Sequence, residues 1–354
     1  MENGKLIEKK KKYKIKKSES TKYKREAWLD FIKIIAIMLV VNLHTVCYGL
    51  NKNILSPHLF IYYIGTFAIP LFFMVNGYLQ LRREVTYEYI LTKIIKIIYV
   101  AFIWNLIIVL LRIILTGSYS NPIIDTIKSF MQIGYFYQFW FLGSLILIYL
   151  ILPLLSKLIN RSVKIYKFVL IILFIITVFI DIFNIYNCSI GNNIIKETVI
   201  QTFRLWTWLL YFCIGGYISK FNILEKISSK SHLIFMIAAI VVTICYEYLF
   251  ALRLYGSLYA ENFYDSIIVI LTSIIIFTYF KKVNFKNERL ISKLGALSMG
   301  IYIIHLSVIN VLRIFIPLSN SIMNIVVLIC AFLISMGFAY IISEIPKVNT
   351  LIKL

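Results

Sequence analysis

Charge is scarce in this chain: 15% of its 354 residues are charged, and only 16 of them are acidic. Hydrophobic residues make up 60%, and the mean hydropathy is +0.85. A water-soluble domain of this length needs a mostly polar exterior, so these proportions exclude one. Cysteine is also thin. Cys47, Cys188, Cys213, Cys245 and Cys330 show neither CxxC nor metal-ligand spacing, so no metal site follows from them. Four lie in or at the ends of apolar runs, where cysteine serves as a small apolar filler. Met1–Arg25 has no apolar core and no small-residue cleavage site, which excludes a cleavable signal. No internal repeat strong enough for an inverted-repeat transporter is visible. The loops are short, and no soluble domain is expected at either end.

What is abundant is positive charge. The net charge is +21, and eleven of the 37 Lys and Arg residues fall in residues 1–25. Without a soluble region to present a groove, nucleic acid is not an expected partner. A polybasic segment beside the first apolar run is instead expected to be a disordered cytoplasmic tail, attracted to anionic lipid headgroups. The bilayer is the expected partner of everything after it.

Windows of about 19 residues predict ten spans. They lie near 28–49, 58–81, 94–115, 135–156, 166–186, 200–219, 233–252, 263–280, 295–316 and 321–343. Loop charge tests that count. With residue 1 in the cytoplasm, 29 of the Lys and Arg residues fall inside and seven outside, with Lys33 in the first span. The expected fold is thus an all-α polytopic bundle of about ten helices with both termini cytoplasmic, residues 349–354 forming a short cytoplasmic end. Breaks at Asn51–Ser56, Ser118–Pro122, Tyr186–Asn193 and Pro317–Ser321 read as outer turns.

Ionisable groups within such spans need a reason, because hydrocarbon solvates them poorly. The first span carries Asp30, Lys33 and His44. At 100° per residue, Lys33 and His44 project to nearly the same side and Asp30 lies about 60° away. His44 can exchange a proton near neutral pH, which suits a general base. Arg82, Arg83, Lys93 and Lys96 form a second group at the cytoplasmic ends of spans two and three. They read either as topology-setting charge or as a site for a phosphate-bearing donor. In the ninth span Tyr302 and His305 share a face, with Gly300 allowing close helix approach; interhelical bonding and ligand binding are both open. His58 and His232 read as interfacial, and Glu247 as a costly carboxylate near an outer end. Asp181, Arg204 and Arg253 read as snorkelling groups, and Trp140, Trp206 and Trp208 as interface belts.

Several ordered motifs together resemble the acyltransferase 3 family of integral-membrane acyltransferases, which O-acetylate bacterial surface polysaccharides. Trp28-Leu-Asp-Phe-Ile-Lys-Ile-Ile-Ala…His44 is similar to that family's first helix. Pro70-Leu-Phe-Phe-Met-Val-Asn-Gly-Tyr78 is similar to its second-helix end. Trp140-Phe-Leu-Gly-Ser-Leu-Ile-Leu-Ile-Tyr149 with Pro153 resembles its fourth. Ser298-Met-Gly-Ile-Tyr-Ile-Ile-His305 and Ile345-Pro346 resemble late segments. The likeness covers about residues 25–348 and implies a transmembrane acyltransferase domain over residues 26–348.

The resemblance implies His44 as catalytic base, with Asp30 as its partner on the first helix. It implies acyl-CoA, acetyl-CoA by default, as co-substrate with no permanently bound cofactor. The acceptor is a glycan or lipid-linked sugar, in a bacterial cytoplasmic membrane. Lys33 stands where the family commonly has Arg, and Lys93-Ile-Ile-Lys96 where it has an Arg-x-x-Arg pair tied to acyl-CoA. Lysine keeps the charge and loses the bidentate fork. Asn76 replaces a frequent Ser. Tyr302, His305, Asn76 and Trp140 are the candidates for substrate or oxyanion contacts. A transporter or flippase of a lipid-linked glycan, with the polar stripe as its pathway, is the alternative; a membrane scaffold would leave the stripe without purpose.

Overall fold

Hydrocarbon offers backbone N–H and C=O groups no partners, so an apolar chain of this kind must close its hydrogen bonds within helices. A computed structural model describes residues 25–46, 58–192, 194–221, 223–224, 226–316 and 321–353. The basic tail before Arg25, Cys47, the turn Asn51–Ser56 and most of Pro317–Ser321 lie outside the described residues.

The described chain is all α. Its helices are α1 (Ala27–Val46), α2 (His58–Ile64), α3 (Ala68–Gln80), α4 (Tyr87–Thr116), α5 (Pro122–Phe130), α6 (Trp140–Asn160) and α7 (Val163–Ser189). There follow α8 (Ile195–Thr198), α9 (Leu205–Lys220), α10 (Ser229–Tyr255), α11 (Ile267–Lys282), α12 (Glu288–Ala296), α13 (Ser298–Phe315) and α14 (Ser321–Glu344). Local chemistry sets the ends. Thr86, Asn121, Ser162 and Ser228 cap the starts of α4, α5, α7 and α10 with their side chains. Gly117 and Gly256, at φ of 68° and 60°, end α4 and α10.

Among the described residues, eight helical segments are long and apolar enough to cross a membrane. The chain is a multi-pass membrane protein. The segment Leu59–Gln80 joins α2 to α3 through a 3-10 turn at Gly65–Phe67. The sixth and eighth expected spans correspond to α9 and α11, each of 16 residues. At about 24 Å they are shorter than a hydrocarbon core of roughly 30 Å. Three short helices, α5, α8 and α12, had no counterpart among the expected spans.

Burial sorts the helices into two shells. Leu59–Gln80 is 72% buried and Ala27–Thr45 61%, whereas Val163–Ser189, Ser229–Tyr255 and Ile322–Glu344 are each 22% buried. The latter carry rows of exposed Ile, Leu and Phe, as a lipid-facing surface requires. At the centre, α3 crosses α9 with backbones touching. A Cβ on Gly77 would lie 1.8 Å from the Phe212 carbonyl oxygen, and one on Gly215 2.0 Å from that of Met74.

Several polar residues expected near the surface are interior. Asp181 and Arg204 do not snorkel, because Lys196 on α8 turns inward between them. Its Nζ lies 2.9 Å from Asp181 Oδ1 and 2.7 Å from Asp265 Oδ1, and it donates to the Asn262 carbonyl at 2.5 Å. Tyr255 Oη donates to Asp181, and Arg204 donates to the Lys196 and Val199 carbonyls. This knot ties α7, α8 and α10 to the loop before α11. Trp208 is likewise no belt residue: it is fully buried, stacked on Phe73, with Nε1 donating to the Gln201 carbonyl at 2.6 Å. His232 is also fully buried.

The backbone contact of α3 with α9 gives a direct test. Gly215→Ala should lower stability by about 3 kcal/mol, because the helices must part to admit the methyl. Gly337→Ala, whose methyl would meet nothing within 4 Å, should leave the thermal midpoint unchanged. Equal midpoints for the two variants would show that the crossing is loose.

Candidate active site

The first helix carries two polar constellations, one at each end. At its start Asp30 is 2% exposed, packed against Gly295, where a Cβ would come within 2.5 Å of the Asp30 Cβ. Its carboxylate accepts from Arg25 Nε and Lys33 Nζ, both at 2.6 Å. Arg25 also donates to the Ser292 carbonyl at 2.6 Å, tying α1 to α12. Asp30 and His44 are therefore not brought together: 14 residues of helix, about 21 Å, separate them. Asp30 orients two cations and does not touch the imidazole.

Those cations open onto a cavity of about 420 Å³ among α1, α3, α4, α6, α12 and α13. Arg25, Lys33, Lys93, Lys96 and Lys353 line one end of it. Asp30 is the only carboxylate paired with any of these five among the described residues. The mouth is therefore strongly cationic, and its apolar walls focus that field. Further in, the lining becomes Phe72, Leu142 and Leu145, with Asn76 and Tyr149 as a polar rung. Tyr149 Oη donates to Asn76 Oδ1 at 3.3 Å, and Asn76 Nδ2 to the Phe72 carbonyl at 2.9 Å. Phe141 and Tyr302 line its inner reach.

Tyr302 links the cavity to the second constellation. Its ring centroid lies 6.2 Å from that of His305, and the His305 ring lies 5.2 Å from His44. His44 Nδ1 is 3.1 Å from Tyr137 Oη. His305 is fully buried; its Nδ1 donates to the Ile301 carbonyl at 3.1 Å, which leaves Nε2 as a bare acceptor. That Nε2 has no partner among the described residues. Gln138 Nε2 and Oε1, beside Tyr302, are likewise buried without a partner among the described residues, so this part of the interior has hydrogen-bonding capacity left over. The Tyr302 hydroxyl is committed to the Gln138 carbonyl. It must rotate before it can donate elsewhere.

The expected site residues thus divide. Lys33, Lys93, Lys96, Asn76 and Tyr302 share the cavity wall; His44 and His305 do not line it, and His305 meets it through the Tyr302 ring, with His44 behind His305. Arg82 and Arg83 do not line it. Arg82 pairs with Glu26 and sits 4.1 Å from the Tyr78 ring centroid, and Arg83 is exposed with its guanidinium 5.3 Å from the Tyr89 ring. Trp140 packs against Trp208 at 5.3 Å, away from the cavity. Sequence reasoning missed Arg25, Tyr137, Tyr149 and Lys353. Tyr137 sits in an aromatic run that gives no sign of a histidine partner; Arg25, five residues before Asp30, was visible as a potential ion pair. Cys188, Cys213, Cys245 and Cys330 are free thiols.

The sequence profile of the acyltransferase 3 family, described as an acyltransferase domain, matches residues 26–344. No curated protein and no solved structure matches the chain. The match spans nearly the whole chain, which belongs to this family and is an acyltransferase moving a group other than aminoacyl. Asp30→Asn keeps the volume at the cavity mouth but removes the charge that Arg25 and Lys33 share. It should lower stability by about 2 kcal/mol in thermal unfolding; an unchanged midpoint would show that this ion pairing contributes nothing to the bundle.

Proposed function

From membership in this acyltransferase family, we propose that the protein takes an acyl group from cytoplasmic acyl-CoA, acetyl-CoA in the first instance, and transfers it to a hydroxyl of an exported glycan or lipid-linked sugar. The observation that carries this reading is the cavity running from five cations to Tyr302, with His305 and His44 beyond. Both termini lie in the cytoplasm of a bacterial cell, so the cationic mouth faces the compartment in which acyl-CoA is made.

The donor's phosphates dock at Lys33, Lys93 and Lys96, and its pantetheine arm follows the cavity past Asn76 and Tyr149. From Lys33 to His44 is 11 residues, about 16 Å of helix, which an extended arm can cover. His44 lies toward the outer end of α1, where the acceptor arrives. Tyr137 accepts from His44 Nδ1–H and so holds the tautomer whose Nε2 carries the lone pair. Nε2 takes the hydroxyl proton as the oxygen attacks the thioester carbonyl, the C–S bond breaks, and the proton returns to the departing thiolate. Rotation of the Tyr302 hydroxyl away from Gln138 supplies a donor for the oxyanion.

Three strains test this: one with the wild type, one with His44→Ala and one without the protein, read by NMR of surface-glycan esters. His44→Ala should lower acyl transfer about 10²–10⁴-fold at equal membrane abundance. Tyr137→Phe should lower kcat and leave the KM for acetyl-CoA unchanged. Full esterification with His44→Ala would overturn the reading, and loss of the glycan itself without the protein would point to a flippase.

A further inference from the structure

The chain returns to the cavity after its last long helix. α14 ends at Glu344, and Pro346 has no N–H with which to continue it. Lys347 takes φ 69°, a left-handed conformation that reverses the chain, and Val348–Ile352 forms a 3-10 turn. This turn packs against α4, α13 and α14 and does not trail from the bundle. Trp104 Nε1 on α4 donates to the Leu351 carbonyl at 3.0 Å. Ile352 is fully buried, and its Cβ lies 3.3 Å from where Gly300 would carry a methyl. Ile352 and Lys353 then form part of the cavity lining, with Lys93 and Lys96 also on it.

We propose that Lys353 is a ligand for a phosphate of the donor, held in place by this re-entrant C-terminal segment. The inference rests on the acyl-CoA reading above. Three observations carry it. First, Arg25 and Lys33 are both engaged by Asp30. Lys93, Lys96 and Lys353 have no carboxylate partner among the described residues, so these three supply three of the four net positive charges at the mouth, the fourth being shared by Arg25 and Lys33. Second, Lys353 comes from a different element than the α4 pair, so an anion bound between them is gripped by two elements. Third, its backbone is fixed one and two residues earlier by a buried isoleucine and an indole hydrogen bond. A lysine that only sets topology needs no such anchoring, whereas a ligand gains affinity when its ordering is complete before binding. Lysine acts here as a point charge on a flexible stem, suited to a phosphate without fixed orientation.

The phosphate has two sources, a CoA-type donor or an anionic lipid headgroup, and the test separates them. The full-length protein is placed in nanodiscs of phosphatidylcholine alone, and CoA binding is measured by calorimetry for wild type, Lys353→Gln and Lys353→Arg. The expected result is about tenfold weaker CoA binding for Lys353→Gln, with Lys353→Arg near wild type. A parallel series adds phosphatidylglycerol and counts retained anionic lipid. If wild type binds CoA and Lys353→Gln binds it equally well, the inference falls while the donor reading stands. It falls in the same way if the variant loses only anionic lipid. If wild type binds no CoA, the donor reading itself fails, and the inference with it. Ile352→Ala provides a second variant: loosening the anchor while keeping the charge should also weaken CoA binding, and unchanged binding would overturn the positioning role given to the segment.

Discussion

Hydrocarbon gives polar groups nothing to bond with, and the arrangement of this bundle follows from that. Its interior polar groups are gathered into a few knots. One, around Asp30, joins α1 to α12 through Arg25 and holds Lys33. Another, around Lys196, joins α7, α8 and α10 to the loop before α11. Both are paired on several sides, as buried charge must be to persist. The pair His44 and His305 differs, because the latter's Nε2 is buried without a partner among the described residues.

Between the first knot and the histidines runs the cavity, and the tight crossing of α3 on α9 makes it possible. With Gly77 and Gly215 letting the backbones touch, α3 is drawn into the centre of the bundle, and its Phe72 and Asn76 face the cavity from there. The lipid-facing helices α7, α10 and α14 seal the outside with apolar side chains. The inner shell therefore supplies most of the cavity wall and the outer shell the solubility in lipid.

Much of the bundle was legible in the chain itself, because hydrophobic runs near 20 residues report directly on bilayer thickness. The expected spans at 94–115 and 166–186 fall within α4 and α7. The short α9 and α11 are harder to read, since their length falls below that of a full crossing and they depend on neighbours for burial. Lys33, Lys93 and Lys96 were legible as cations at one end of the bundle, and they do share a wall. Arg82 looked equivalent on sequence; its pairing with Glu26, 56 residues away, is a tertiary fact. Lys196 was equally opaque, being a loop lysine until Asp181 and Asp265 are seen around it. Tyr137 and Lys353 became visible only once distant segments had been folded onto α1 and α4.

The central claim is that one continuous path leads from the cationic mouth to the histidines. Photolabelling tests it most directly: an acyl-CoA bearing a diazirine on its acyl chain is irradiated with the membrane-embedded protein, and the labelled residues are mapped by mass spectrometry. The account predicts labels on Phe141, Leu142 and Tyr302 that free CoA suppresses. Labels confined to the exposed faces of α7 and α10, unaffected by CoA, would contradict it.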